Sequence, residues 1–91
     1  MWRVDVTAEG REALAQFDAG LLDEFRDRMA DMAEEPGMFL RRSSPPEPAG
    51  LWVLEYESDL SPGLRVVALL DEWDPAAKRL KLVGVMRLMG G

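Results

Sequence analysis

Three stretches in the second half of the chain have the apolar pattern of β-strands. They are Leu51–Glu57, Leu64–Glu72 and Arg79–Leu88, in which valine, leucine and aromatic residues dominate. Ser58–Gly63, which ends in Pro-Gly, separates the first two stretches, and Asp74–Lys78 separates the last two. Because short connections join antiparallel neighbours, this pattern predicts a three-stranded antiparallel meander.

The first half of the chain has a helical pattern. Within 21–35, apolar residues recur at spacings of three or four and form one stripe: Leu22, Phe25, Met29 and Met32. Pro36 and Gly37 are expected to end this helix. A shorter helical stretch precedes it, and Thr7 and Asp18 are the expected N-cap residues of the two helices.

The chain opens with an alternating stretch, 2–6, which predicts a short strand with Trp2, Val4 and Val6 turned inward. The predicted order of elements is therefore β, α, α, β, β, β. This order indicates an α+β fold in which a helical hairpin packs on one face of an antiparallel sheet. We expect a single domain over 1–91, with the proline-rich stretch 43–50 as a loop inside it.

Both faces of the later strands are apolar. In the second strand, strict alternation separates Arg65, Val67 and Leu69 from the residues of the other face: Leu64, Val66, Ala68 and Leu70. In the third strand, the same alternation separates Leu80, Leu82, Met86 and Leu88 from Arg79, Lys81, Val83, Val85 and Arg87. Two helices on one face would not cover this much apolar surface, so we expect a partner or dimer contact.

Composition narrows the chemistry. The formal net charge is −6, and residues 1–40 hold four basic against ten acidic side chains, which disfavours broad nucleic-acid binding. The absence of cysteine and histidine excludes the usual zinc sites and imidazole catalysis, and leaves Tyr56 as the only phenol. The charged N-terminus does not have the pattern of a signal peptide, and without cysteines a cytoplasmic location is expected.

The order of elements and several short motifs resemble the RelE/ParE toxin superfamily, whose members are small βααβββ domains. Pro36 stands at the helix end, and Gly50–Trp52 resembles the start of the next family strand. Leu64–Val66 resembles a Tyr-Arg-Val segment, and Gly84–Arg87 resembles the closing Val-Gly-His-Arg strand. The likeness covers nearly the whole chain and implies a RelE/ParE-like fold.

The resemblance also implies a candidate site on the open sheet face. RNA-cleaving members of the family use basic residues there, which stabilise the charge that develops when a 2′-OH attacks the adjacent phosphate. Arg65 and Arg87 fall at two such positions, and strict alternation would place them on one face. Further basic residues are candidates for binding RNA or a partner: Arg41, Arg42, Arg79 and Lys81.

The chain departs from the family pattern at this site. Val53 and Glu55 stand where basic residues are common, Met86 replaces a frequent histidine, and residues 88–91 carry no proton-transfer group. Glu55 is expected to form an ion pair with Arg65 or Arg87. We therefore expect a toxin–antitoxin-type domain that is weakly active or inactive in RNA cleavage, or, if active, a metal-independent endoribonuclease.

The partners implied by the resemblance are an antitoxin-like protein and, only for an active toxin, RNA or a topoisomerase. The alternative is a non-catalytic protein-interaction domain, which could be homodimeric. No cofactor, metal or membrane contact is expected. Two further hypotheses are a carboxylate enzyme built on Glu55, Glu57 or the pair Asp71 and Glu72, and a Mg²⁺ site formed by Asp71, Glu72 and Asp74.

Overall fold

The computed structural model describes residues 1–90 and contains five strands and three helices within them. In chain order the elements are β1 Arg3–Val6, α1 Ala8–Leu14, α2 Ala19–Glu34, α3 Pro36–Phe39, β2 Leu40–Arg42, β3 Trp52–Glu57, β4 Leu64–Asp74 and β5 Arg79–Met89. The predicted strand, helical hairpin and three late strands are all present. Two short elements, α3 and β2, were not predicted.

The five strands form one sheet in the order β1-β5-β4-β3-β2. The predicted meander is confirmed, because β3 pairs with β4 and β4 with β5, both antiparallel. The prediction of a wholly antiparallel sheet is wrong at β1, which lies parallel to β5 with Val4 opposite Leu80. The two strands are joined through the helices and the rest of the sheet, so the connection is long enough for a parallel pair.

Both predicted N-caps are formed. The Thr7 hydroxyl accepts a hydrogen bond from the Gly10 amide (3.1 Å) and donates one to the carbonyl of Leu82 (2.9 Å). Gly10 is buried against the same carbonyl, so closely that a Cβ atom there would overlap it. Asp18 accepts from the Leu21 amide at 2.9 Å. Thr7 thus starts α1 and also ties it to β5.

The predicted stripe of α2 faces the sheet. Phe25 and Met32 are buried, and the other two stripe residues, Leu22 and Met29, are partly buried against the same core. The main core therefore lies between the helices and one face of the sheet, here called the helix side. The opposite face, here called the open face, carries a second and smaller buried cluster: Val53, Val67 and Leu69.

A β-bulge in β5 changes which residues lie on each face. Leu69 pairs with Gly84 but Leu70 pairs with Leu82, so Val83 is an extra residue in the ladder. An extra residue reverses the alternation beyond it. Leu80 and Leu82 lie on the helix side as predicted, whereas Met86 and Leu88 lie on the open face and Val85 and Arg87 on the helix side. The predicted alternation is therefore wrong beyond Val83.

Candidate functional site on the open face

Glu55 lies at the centre of a charge network on the open face. Its carboxylate accepts from the Arg65 guanidinium on β4 (3.2 Å) and from the Arg41 guanidinium on β2 (3.0 Å). The pairing register explains the arrangement, because Arg41 lies opposite Val53, next but one to Glu55 in β3. The predicted ion pair between Glu55 and Arg65 is confirmed. Arg41 joins it through β2, the strand that was not predicted.

The network extends to the proline-rich loop 43–50. Arg41 donates two hydrogen bonds to the carboxylate of Glu47, at 2.8 and 2.7 Å, and the Ser44 amide donates a third at 3.0 Å. The Glu47 side chain is only 9% exposed. The Arg41 hydrogen bonds, followed by that from Ser44, lower the pKa of Glu47 to about 2. The same contacts with Glu47, and then with Glu55, raise the pKa of Arg41 above its ordinary value.

Arg87 lies away from this network. Its register partner is Val66, a core residue of the helix side. The Arg87 guanidinium lies 5.3 Å from the Phe17 ring centroid and donates to the carbonyl of Gln16 at 3.3 Å. The prediction that Arg65 and Arg87 share a face is therefore wrong, and the bulge at Val83 is the physical reason. The two candidate catalytic residues are not brought together.

The remaining candidate binding residues lie on both faces of the sheet. Arg42 lies on the helix side, 3.7 Å from the Trp52 ring centroid. Arg79 forms an ion pair with Asp5 at 2.8 Å on the open face near the β4–β5 turn. Arg79 and Lys81 both lie over the ring of Trp73, at 4.8 and 4.6 Å. Arg79 and Lys81 therefore meet at Trp73, whereas Arg42 lies on the opposite face of the sheet.

The acidic candidates do not converge either. Asp71 lies opposite Lys81 in the register of β4 and β5, on the open face. Its neighbour Glu72 lies on the helix side opposite Leu80. Glu57 accepts from the Gly63 amide at 3.1 Å and stabilises the β3–β4 turn. Within residues 1–90, no three acidic side chains lie close enough together to hold a metal ion. This geometry does not support the hypotheses of a carboxylate enzyme or a Mg²⁺ site.

Tyr56 is buried on the helix side of β3. Its hydroxyl has no hydrogen-bond partner in the part of the chain that the structure describes, and Arg28 lies 4.8 Å from its ring centroid. Burial, with the nearby charge of Glu24, raises the pKa of Tyr56 to about 12. The phenol is thus unsuited to proton transfer near neutral pH.

Two apolar depressions on the helix side were not predicted. The first, here called the α1–α2 groove, has a volume of about 510 Å³ and is bounded by β1, α1 and α2. Its apolar wall includes Val4, Val6, Leu14, Leu22 and Met29, and its only charged lining residues in 1–90 are Arg11 and Arg26. Val6, which was predicted to turn inward, lies opposite Leu82 on the helix side and is 40% exposed in this groove. The second, here called the indole pocket, lies between Trp2 and Trp52 and has a volume of about 320 Å³.

Comparison with known proteins supports one part of the resemblance. No model of a known protein family matches the sequence, and no curated protein matches it. Among solved structures, a chain of the toxin–antitoxin complex RelBE2 from Mycobacterium tuberculosis is similar over 96% of this chain and 98% of that one. The TM-score is 0.68 and the sequence identity is 16%. The chain described here therefore has a RelE-like α+β fold. None of the helices in residues 1–90 has the length and apolar character needed to cross a membrane.

Proposed function

We propose that this chain is a RelE-like domain of the toxin–antitoxin type that binds a protein partner and does not cleave RNA. The likeness to a chain of the RelBE2 complex supports the first part of the proposal. The observation that carries the second part is the placement of the basic residues. Arg65 is paired with Glu55, and Arg87 lies on the other side of the sheet.

RNA cleavage by 2′-OH attack needs cationic donors that point toward the same phosphate. Arg65 and Arg87 cannot both reach one phosphate on the open face, because the sheet lies between them. Glu55 would also place a negative charge within about 4 Å of a phosphate bound to Arg65, and like charges repel at that distance. The Tyr56 phenol, whose pKa is raised to about 12, lies in the helix-side core and is not placed to transfer a proton beside Arg65.

The α1–α2 groove supports the binding part of the proposal. An apolar depression of this volume is large enough to receive several side chains of a partner segment. Arg11 and Arg26 are its only charged lining residues in 1–90, and Arg26 has a single exposed contact with Asp23 at 4.0 Å. A segment with an apolar face and acidic flanks would complement this surface. We therefore expect an antitoxin-like partner to bind here through such a segment.

Expression in a bacterial host tests the proposed lack of RNA cleavage. Cells that express the wild-type chain should grow as cells with the empty vector do, because Arg65 and Arg87 lie on opposite faces of the sheet and cannot bind one phosphate together. The Arg65→Ala and Arg87→Ala variants are the controls. Growth arrest by the wild type that either substitution reverses would contradict the proposal and restore the hypothesis of an active toxin.

Peptide binding to the purified chain tests the partner surface. An amphipathic peptide with leucines on one face and glutamates on its flanks should shift the NMR signals of Leu14, Leu22 and Met29, and the same peptide with lysines should not. The double variant Arg11→Ala/Arg26→Ala should lose the preference for glutamate. Arg3→Ala, which removes an exposed arginine outside the groove, is the matched control. Equal binding of the two peptides would refute the proposed charge complementarity.

One observation favours the alternative of a homodimer. Leu88, which lies opposite Arg65 on the open face, is 49% exposed, and its neighbour Met89 at the end of β5 is 72% exposed. A second copy could cover these side chains. Sedimentation at low micromolar concentration distinguishes the two states. A dimer that Leu88→Ser dissociates would support the alternative, and a strictly monomeric chain would exclude it at that concentration.

A further inference from the structure

The indole pocket has the composition of a site for an organic cation. It is lined by Trp2, Pro36, Gly37, Leu40, Trp52, Glu72 and Leu80, and Glu72 is the only charged lining residue in the described part of the chain. Glu72 and Leu80 are register partners on the helix side of β4 and β5, so they are adjacent in the sheet. Residues of α3 line the pocket opposite them.

The two indoles are held in place by local structure. The Trp2 amide donates a hydrogen bond to the carbonyl of Ala33 at 2.8 Å, which fixes the start of β1 against the end of α2. Trp52 belongs to β3 and packs against the main core. The guanidinium of Arg42, which does not line the pocket, occupies one face of the Trp52 ring at 3.7 Å from its centroid, so a ligand can use only the other face.

Glu72 gives the pocket its charge. Within residues 1–90, no arginine or lysine lies within 4.0 Å of its carboxylate, whereas Glu55 and Glu47 are each paired with an arginine. A half-buried carboxylate without a partner cation is less stable than a paired one. A cation that enters between the indoles would therefore gain both a carboxylate contact and contact with an aromatic face.

We propose that the indole pocket binds a small quaternary ammonium ion. Such ions are weakly hydrated and are recognised by aromatic rings together with a nearby carboxylate. The pocket volume of about 320 Å³ is at the lower end of the range for small-molecule sites, which suits an ion of this size. The site is separate from both the α1–α2 groove and the open-face network, so this proposal does not depend on the proposed function.

Titration with choline, followed by the three indole N–H signals in NMR spectra, tests the proposal. Choline should shift the signals of Trp2 and Trp52 and leave that of Trp73 unchanged, because Trp73 does not line the pocket. The uncharged isostere 3,3-dimethylbutan-1-ol should bind at least about fivefold more weakly, since it loses the cation–π and charge contacts. Equal shifts with the two compounds would overturn the proposal, and so would the absence of shifts at millimolar choline.

Two carboxylate variants provide the matched comparison. Glu72→Gln keeps the shape of the side chain and should weaken choline binding about five- to tenfold. Asp71→Asn makes the same change in net charge one residue away on the opposite face of β4, and should leave binding unchanged. Equal weakening by both variants would show that only net charge matters and would overturn the proposed site.

Discussion

The two faces of the sheet use their arginines differently. On the open face, Arg41 and Arg65 share the carboxylate of Glu55, and Arg41 also binds Glu47. In the α1–α2 groove on the helix side, Arg11 and Arg26 border an apolar wall that no described carboxylate lines. The residues around an arginine therefore decide whether its charge is available to a ligand. This difference makes the groove the better candidate for a partner and the open face the poorer candidate for RNA.

The α1–α2 groove requires that α1 packs against β5. A substitution at Gly10 tests this packing. Gly10→Ala places a Cβ atom against the carbonyl of Leu82, so the helix must shift and the free energy of unfolding should fall by about 2–4 kcal/mol. Urea unfolding measures this loss. Gly37→Ala is the control, because a Cβ atom at that position would have open space within 4 Å, and it should change stability by less than about 1 kcal/mol. Equal effects would mean that α1 is not in close contact with β5.

A pair of adjacent valines compares the two cores directly. Val66 faces the main core of the helix side and Val67 the small cluster of the open face, and both are at most 1% exposed. Val66→Ala should cost about 2–3 kcal/mol and Val67→Ala about 1 kcal/mol, because the smaller cluster relaxes more easily around a cavity. Denaturant unfolding of both variants measures the difference. A larger cost at Val67 would show that the open face carries the main core.

A smaller effect concerns the link between loop 43–50 and the sheet. The pKa of Glu47 is lowered to about 2, so the stability that its carboxylate contributes is present at neutral pH and is lost as the pH falls from about 4.5 to about 2. An NMR titration of the Glu47 carboxyl carbon should give a midpoint near 2 in the wild type. In Arg41→Ala the midpoint should rise toward 4.5. A wild-type midpoint near 4.5 would mean that the loop is not held by Arg41.

The elements with a strong period could be predicted from the sequence. The 3.6-residue repeat defines α2 and its buried stripe, and the hydroxyl and carboxylate at Thr7 and Asp18 define the helix starts. The antiparallel meander follows from strands joined by short turns. The ion pair of Glu55 was predicted from charge, although its second partner, Arg41, depends on β2, a three-residue strand that is too short to show a period.

The face of Arg87 could not be predicted from the sequence. Both faces of β5 are apolar, so a one-residue bulge does not produce a pattern in which a polar residue is obviously buried. Gly84 is the single sequence feature that hints at an irregular strand. The direction of β1 was also hidden, since alternation is the same in parallel and antiparallel strands. The two pockets involve residues far apart in the chain, and no local pattern marks them. Fold class was therefore accessible from the sequence, but the geometry of the candidate site was not.

Incubation of the purified chain with a fluorescent single-stranded RNA measures whether the open face can cleave RNA. Arg41 and Arg65 on the open face are paired with Glu47 and Glu55 and are not expected to form a cleavage site. We expect intact RNA after incubation with the wild type and with Arg65→Ala alike. Cleavage by the wild type that is lost in Arg65→Ala and retained in Arg3→Ala would contradict it.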